Sequence, residues 1–280
     1  MRIAVTSDIH VDITSANQQI VKHLVTAAEE IQPDVLVICG DISANLIKFS
    51  QTLLAFQKLD SQCHKLFVAG NHDIWVNKRS IITSEQKYLT ITDISSECDF
   101  HHLGGRPTII DGVGFCGTIG WYDYSFRQER YKIALEQYES KRYGNSMWND
   151  VNYAKWGCAD IKLAHRFECE LQAQIDSIKN QVSQIIVVTH HLPFQESVVY
   201  QGNLPWDFFS AFMGSRGLGE LCVNEPLVTH ALFGHTHFKH PPQKVRGVTT
   251  SSSPVGYLFK MSKRKVPEYA KECFTVLEIN

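Results

Sequence analysis

Residues 35–41 read Val-Leu-Val-Ile-Cys-Gly-Asp, a run of β-branched and apolar residues that stops at a glycine and a carboxylate. Two similar apolar runs lie before and after it in the chain, at residues 3–6 and 65–69. Between these runs, apolar residues recur at helical spacing in residues 20–31 and 49–56. This alternation is typical of βαβ units, whose parallel strands are buried on both faces. The sequence therefore predicts an α/β fold.

The rest of the chain adds further strands and a stretch rich in aromatic residues. Residues 108–119 form a predicted hairpin with an Asp-Gly turn, and residues 159–179 have helical periodicity. Residues 121–157, called here the aromatic segment, are rich in Trp and Tyr. Because no repeat or linker divides the chain, we expect a single domain of residues 1–280, with a cap or insertion at about 121–180. Additional strands are predicted at residues 185–189, 227–233, 245–251 and 274–279.

The composition is that of an ordinary globular protein. Of the 280 residues, 44% are hydrophobic and 20% are charged, and the formal net charge is −2. This balance excludes disordered and low-complexity classes and argues against a general nucleic-acid-coating protein. No apolar run approaches the roughly 18 residues of a membrane helix, and residues 1–8 do not resemble a signal peptide. The eight cysteines form no Cys-x-x-Cys pair, so we expect reduced thiols and a cytoplasmic protein without a membrane partner.

Oxygen and imidazole side chains cluster directly after the predicted strands. The carboxyl ends of the strands are where open α/β sheets build their sites, so these side chains are expected to meet in space. Within the Asp-x-His and His-x-His motifs, strand alternation is expected to point both side chains the same way. Glycines 40, 70 and 234 would let the backbone approach a bound ion closely. The candidate metal ligands are Asp8, His10, Asp41, Asn71, His190, His235 and His237.

The number and type of these ligands indicate a site for two metal ions. Seven ligands exceed the four of a tetrahedral zinc, but they suit two ions if one carboxylate bridges them. Oxygen and nitrogen ligands without thiolate favour Mn, Fe, Zn or Co over copper(I) or an iron–sulfur cluster. Two ions about 3.5–4 Å apart can clamp a phosphoester and activate a water as the nucleophile. The ligand set therefore indicates metal-dependent hydrolysis of a phosphoester.

Taken together, these motifs resemble the calcineurin-like metallophosphoesterase superfamily. The matching motifs are Asp-x-His at 8–10, Gly-Asp at 40–41, Gly-Asn-His-Asp at 70–73, a later histidine, and Gly-His-x-His at 234–237. The resemblance spans most of the chain and implies a four-layer α/β/β/α sandwich with a two-metal site at the strand ends. The aromatic segment adds the expectation of an aromatic-rich helical cap on that sandwich.

The resemblance also implies a role for each motif residue. Asp41 would bridge the two ions. His72 would protonate the leaving-group oxygen or stabilise the transition state, with Asp73 as its orienting partner. The ligands of the first ion would be Asp8, His10 and His237, and those of the second would be Asn71, His190 and His235.

Two adjacent histidines compete for one of these ligand positions. We choose His190 because it directly follows the predicted strand at residues 185–189. His191 then becomes a candidate for contacting the substrate or supporting a ligand.

The predicted function is a dimetal-dependent phosphodiesterase or phosphomonoesterase in which a metal-bridging hydroxide attacks phosphorus in line with the leaving group. Its cofactors would be two divalent or mixed-valence ions chosen from Mn, Fe and Zn. Its substrate would be a small phosphorylated molecule such as a nucleotide, and the aromatic side chains would either stack on a base or pack on each other. A non-catalytic binding scaffold of the same fold and a DNA nuclease are the alternatives. The intact motifs weigh against the scaffold, and the near-neutral charge weighs against the nuclease.

Overall fold

The computed structural model describes residues 1–262 and 264–279, whose strands form two main sheets and one small ribbon. The first sheet has the order β13-β1-β2-β3-β4, the second has the order β11-β12-β10-β9-β6-β5, and β7 pairs with β8. The strands are β1 Arg2–Thr6, β2 Val35–Ile38, β3 His64–Phe67, β4 His101–His102, β5 Thr108–Ile110, β6 Val113–Thr118, β7 Arg142–Tyr143, β8 Ser146–Met147, β9 Gln184–Thr189, β10 Val228–Leu232, β11 His240–Val245, β12 Val248–Ser252 and β13 Thr275–Glu278.

Both sheets have a parallel centre, with one antiparallel edge in the first sheet and two in the second. Strands β1 to β4 run parallel to one another, and β13 pairs with β1 in the antiparallel sense. In the second sheet β6, β9, β10 and β12 are parallel, whereas β5 and β11 are antiparallel edges. An isolated parallel bridge between Ser7 and Pro254 joins the two sheets just past the ends of β1 and β12. The carboxyl ends of both parallel centres therefore lie at one shared edge.

The helices cover the two outer faces and connect the strands. The first helix begins with a side-chain cap, in which the Thr14 hydroxyl oxygen accepts the Asn17 backbone N–H at 3.0 Å. No helix in the described part of the chain has the length and apolarity to cross a bilayer. The helices are α1 Ser15–Ile31, α2 Leu46–Ala55, α3 Ser84–Glu97, α4 Leu135–Glu139, α5 Asp150–Tyr153, α6 Asp160–Ile178, α7 Trp206–Phe209, α8 Arg216–Asn224 and α9 Val266–Glu272.

Alternate residues of the central strands are buried against different layers. Val5 of β1 and Val188 of β9 belong to one apolar cluster between the two sheets. Ala4 belongs instead to the cluster that contains the apolar face of α1. On the far side, Val187 of β9 packs in a cluster with Leu171 of α6. The order of layers is therefore helix, sheet, sheet, helix, which confirms the four-layer sandwich.

The aromatic segment contains only short elements, α4, α5 and the β7–β8 ribbon. Five of its rings are at most 1% exposed, which is consistent with an aromatic-rich cap. Four of them belong to the apolar cluster that also contains the buried face of α1, whereas Phe126 packs with Leu192 and Phe233. Helix α6, which the predicted insertion at 121–180 includes, packs against β6 in the outer helical layer. The five buried rings are Trp121, Tyr122, Tyr124, Phe126 and Tyr138.

Candidate metal centre

Polar side chains from five loops meet at the shared edge of the two sheets. Backbone hydrogen bonds tie the loops together, for example from the His10 N–H to the Asp41 carbonyl at 3.0 Å. The structure thus brings all seven predicted ligands into one place, and each except His237 is buried. Asp8 and His10 follow β1, Asp41 follows β2, Asn71 follows β3, His190 follows β9, and His235 and His237 follow β10.

The ligand atoms form two groups that overlap at a single residue. Within each group, one ligand atom from every member lies within 4.8 Å of the others. The first group contains Asp8, His10, Asp41 and His237, and the second contains Asp41, His190 and His235.

Asp41 turns one carboxylate oxygen toward each group. Its Oδ2 lies 3.5 Å from His10 Nε2, and its Oδ1 lies 3.4 Å from His190 Nε2. His190 Nε2 in turn lies 3.1 Å from Asn71 Oδ1 and 3.1 Å from His235 Nδ1. The amide oxygen of Asn71 therefore joins the second group.

The backbone at five of these positions has the left-handed conformation that residues other than glycine rarely adopt. The φ angles are +53° at Asp8, +49° at His10, +58° at Asp41, +70° at His235 and +54° at His237. Such conformations cost about 1–3 kcal/mol each and cluster at functional sites. The expectation that strand alternation points these side chains the same way was wrong. Strand β1 ends at Thr6, before Asp8 and His10, and left-handed turns bring the side chains together instead.

Glycines allow the loops to approach each other closely. A Cβ atom on Gly40 would lie 2.5 Å from His190 Nδ1, and one on Gly234 would lie 2.9 Å from Asp8 Oδ2. A Cβ atom on Gly70 would overlap the carboxylate of Asp41. The packing of these loops therefore requires glycine at the positions that the sequence indicated.

The structure separates the two adjacent histidines. His190 points its Nε2 into the centre, while its Nδ1 lies 2.8 Å from the Cys39 carbonyl oxygen. His191 has its Nδ1 3.1 Å from the Ile119 carbonyl oxygen, and its buried Nε2 has no hydrogen-bond partner among the described residues. His191 packs against the His235 ring at a centroid distance of 4.3 Å and lies in neither ligand group.

His72 and Asp73 follow Asn71 but have different surroundings. The His72 ring stacks on Trp75 at a centroid distance of 3.5 Å, and its Nε2 lies 3.3 Å from the Tyr257 hydroxyl. Asp73 accepts four backbone N–H groups at 2.8 Å, which belong to Gly70 and residues 41–43. The expected contact between Asp73 and His72 is absent from the hydrogen bonds of the described residues. Asp73 instead clamps the loop that carries Asp41.

Asp150 in the aromatic segment is a supporting residue that the sequence analysis missed. Its buried carboxylate accepts four hydrogen bonds, two at each oxygen. Oδ1 accepts the Asn71 side-chain amide at 2.9 Å and the Trp75 indole N–H at 2.6 Å. Oδ2 accepts the Tyr122 hydroxyl at 3.0 Å and the Trp148 indole N–H at 2.8 Å. A carboxylate among Trp and Tyr residues, whose polar atoms need partners when buried, was the available signal.

Tyr257 is a second residue that the sequence gave no reason to select. Besides its contact with His72, its ring lies 4.7 Å from the His10 ring and 4.5 Å from the His237 ring. The side chain is 40% exposed, so it stands at the entrance to the centre rather than in the core.

Burial and mutual proximity shift the ionisation of these groups. Burial alone would raise the pKa of Asp41, but His190 and His72 lower it well below its usual value. Burial opposes protonation of His190, yet the Asp41 carboxylate outweighs it and raises the pKa of His190 to about 9. Burial, together with His190, lowers the pKa of His191 to about 3. The Asp41 carboxylate therefore favours a positive charge at the neighbouring position of His190.

The donor set fits a pair of cations. Two carboxylates, one amide oxygen and four imidazoles converge without a thiolate, which suits divalent ions such as Mn, Fe or Zn. Asp8 and Asp41 are fully or almost fully buried, and no Lys or Arg in the described ranges forms an ion pair with either. Buried carboxylates are normally paired or bound to metal. Metal ions would supply the missing positive charge.

Comparison with known proteins agrees with this geometry. The family model of the calcineurin-like phosphoesterases matches residues 1–239. The chain belongs to this family. Membership makes the chain a metal-dependent phosphoester hydrolase, as its motifs predict. A search of curated protein sequences gave no match.

Solved structures show the same fold at low sequence identity. A phosphopantetheinyl hydrolase from Mycobacterium tuberculosis is 16% identical, with a TM-score of 0.74 over 91% of this chain and 89% of that chain. A dimetal phosphatase from Danio rerio is 12% identical, with a TM-score of 0.50 over 90% of this chain and 86% of that chain. These likenesses support the sandwich architecture of the calcineurin-like phosphoesterases.

Proposed function

We propose that this calcineurin-like phosphoesterase hydrolyses a small phosphoester at two divalent cations that share Asp41. The observation that carries the proposal is the position of the Asp41 carboxylate, which turns Oδ2 toward His10 and Oδ1 toward His190. A single shared carboxylate between two groups of neutral and anionic ligands is what a pair of adjacent cations requires.

The ligand groups define which residues would hold each ion. When bound, two such ions supply positive charge to the phosphoryl oxygens and make the attacking water more acidic. We expect Mn, Fe or Zn, because these metals accept both imidazole and carboxylate ligands. The first ion would be held by Asp8, His10 and His237, the second by Asn71, His190 and His235, and both by Asp41.

We assign the proton transfer to His72. Hydrolysis joins a water oxygen to phosphorus and breaks the bond from phosphorus to the ester oxygen, which leaves with a proton as the alcohol. His72 borders the cleft beside the ligands, and its ring is held between Trp75 and Tyr257. Burial lowers the pKa of His72, while the nearby Asp41 opposes that shift. Its Nε2 lies 3.3 Å from the hydroxyl of Tyr257, which also lines the cleft, and from there the protonated imidazole would give its proton to the leaving oxygen.

The groups behind the ligands would hold them in position. Asp73 fixes the backbone around Asp41, and Asp150 holds the side-chain amide of Asn71 so that its oxygen faces His190. Hydrogen bonds of this kind set the orientation of metal ligands. We propose that His191 supports the His235 ring rather than binding a metal.

We propose that nucleic acid is a poor substrate of this enzyme. Among the described residues that line the cleft beside the ligands, none is Lys or Arg. Contacts from such residues to phosphates supply most of the affinity of nucleic-acid-binding proteins.

We propose the cytoplasm as the compartment of the protein. All eight cysteines are free thiols, and six of them are buried, which favours a reducing compartment.

The substitution Asp41→Asn tests the proposal. The matched control is Asp93→Asn, which changes an exposed residue on α3. Metal content after dialysis would be measured together with turnover of p-nitrophenyl phosphate and bis(p-nitrophenyl) phosphate. We expect the wild-type chain and the control to hold two ions and to cleave at least one ester, and Asp41→Asn to lose both properties. Metal binding without turnover of either ester would identify a scaffold, and an unaffected Asp41→Asn variant would refute the shared carboxylate.

A further inference from the structure

A cleft of about 570 Å³ opens directly beside the proposed ligands. Asp41, Asn71, His235 and His237 border its inner end, and His72 also borders it. A substrate whose phosphoryl group contacts the ions would therefore extend its remaining atoms into this cleft. The walls of the cleft then determine which alcohols the enzyme accepts.

The walls of the cleft are mainly aromatic and apolar side chains outside the sandwich layers. The aromatic segment contributes Trp148, and the connection after β9 contributes Trp206 and Phe209 of α7 together with Met213. Phe238, directly after the ligand His237, completes the wall. Exposed apolar surface of this kind beside a catalytic centre is typical of a binding pocket for a small molecule.

These aromatic rings are held in place before any ligand arrives. The Trp148 indole donates to Asp150 and stacks on Phe212 at a centroid distance of 5.5 Å with an interplanar angle of 10°. The Trp206 indole donates to the Val199 carbonyl at 2.7 Å, and its ring lies 6.1 Å from Phe238. Rigid walls lose little entropy on binding, which raises affinity for a ligand of matching shape.

The charge of the cleft restricts the substrate further. The described lining residues include no Lys or Arg, and the polar ones are neutral apart from the metal-centre residues themselves. A leaving group that carries further phosphates would place its negative charges against apolar walls without a counter-charge. A neutral aromatic or aliphatic group would instead gain from burial there.

We infer that the cleft binds the alcohol part of the substrate, and that this alcohol is bulky, uncharged and apolar or aromatic. The substrate is then a small phosphoester with a single phosphoryl group. This inference rests on the proposed function and specifies its substrate class. The phosphoryl group lies at the ions, and the alcohol lies between Trp148, Trp206 and Phe238. Water supplies the oxygen that joins phosphorus, and the alcohol departs with a proton.

The test compares esters whose alcohols are equally poor leaving groups, so that only binding in the cleft differs. The substrates are 2-(naphthyl)ethyl phosphate and ethyl phosphate, each also prepared as its methyl diester, with p-nitrophenyl phosphate as an activated reference. With the Mn²⁺-loaded wild-type enzyme we expect kcat/KM for the naphthyl ester to exceed that for the ethyl ester at least tenfold. Loss of one aromatic contact is worth about a factor of ten. Trp206→Ala should therefore lower this preference about tenfold, and Trp206→Phe should retain most of it.

The control variant is Leu89→Ala, which removes an exposed apolar side chain from α3, away from the cleft. It should leave the preference unchanged. Equal kcat/KM for the naphthyl and ethyl esters, or an unchanged preference in Trp206→Ala, would overturn the inference while p-nitrophenyl phosphate is still cleaved. Faster cleavage of ATP or single-stranded DNA than of the naphthyl ester would also overturn it. No turnover of any ester would refute the proposed function itself, and the inference with it.

Discussion

Replacing Asp150 with asparagine tests how the cap supports the metal centre. The change keeps the size of the side chain but turns one acceptor oxygen into a donor. The less costly orientation points the new NH₂ group at Tyr122 and Trp148, because the tyrosine hydroxyl can rotate and accept from it. The Trp148 indole N–H then loses its acceptor, whereas the bonds to Asn71 and Trp75 survive. One unsatisfied buried donor costs about 1–3 kcal/mol.

The alanine variant provides the contrast in magnitude. Asp150→Ala removes the acceptor of four donors, which at about 1–3 kcal/mol each amounts to roughly 4–12 kcal/mol. That loss is comparable to the whole stability of a typical domain, about 5–15 kcal/mol. We therefore expect Asp150→Asn to fold with a reduced free energy of unfolding and Asp150→Ala to fold poorly.

The assay is urea unfolding of the metal-free proteins, followed by chelator competition on the loaded Asp150→Asn variant. The Asn71 amide would keep its bond to the side chain at position 150, but to a neutral oxygen instead of a charged one, which roughly halves the strength of that bond. Metal binding should therefore weaken, by less than the roughly 10–100-fold that follows complete loss of a partner of a metal ligand. Asp93→Asn, exposed on α3, serves as the control and should change neither quantity. If Asp150→Asn unfolds like the wild type and binds metal equally well, the network around Asp150 has no supporting role.

Three further predictions concern the proton balance, the packing and the chemistry of the centre. The pKa of the metal-free His190 is raised to about 9, so metal binding at pH 7 should release a proton from this side chain, and the affinity for metal should increase as the pH rises toward 9. Calorimetry in two buffers of different ionisation enthalpy would detect the released proton, and identical binding heats in the two buffers would contradict the prediction. Gly70→Ala should cost about 1–3 kcal/mol of stability and weaken metal binding, because its Cβ atom overlaps the Asp41 carboxylate; unchanged thermal unfolding would show that the loops can move apart. His72→Ala should keep both metals and lose about 10²–10⁴-fold in kcat on alkyl phosphates but less on p-nitrophenyl phosphate; equal losses on both substrates would exclude His72 as the proton donor.

The ligand positions could be predicted from the sequence because each lies at the end of a parallel strand. The carboxyl ends of such strands share one edge, so residues as distant as Asp8 and His237 are brought together by topology alone. The way in which the side chains converge could not be predicted in this manner. The left-handed turns at Asp8 and His10 depend on contacts with the neighbouring loops, which strand alternation does not describe.

The residues that support the metal ligands could not be predicted from the sequence, for a related reason. Asp150 and Asn71 are 79 positions apart, and no periodicity connects a cap residue with a ligand.

Strand β11 could not be predicted from the sequence because it contains Pro241 and Pro242, which normally argue against a strand. It is an edge strand with an irregular register between His240 and Gln243. Because of this position, the missing N–H groups of the two prolines break no hydrogen bond in the interior of the sheet.

The most direct measurement is a crystal structure of the Mn²⁺-loaded protein with anomalous data collected at the manganese absorption edge. Our account predicts two anomalous peaks about 3.5–4 Å apart, with one Asp41 oxygen bound to each. A single peak, or two peaks of which only one contacts Asp41, would contradict it.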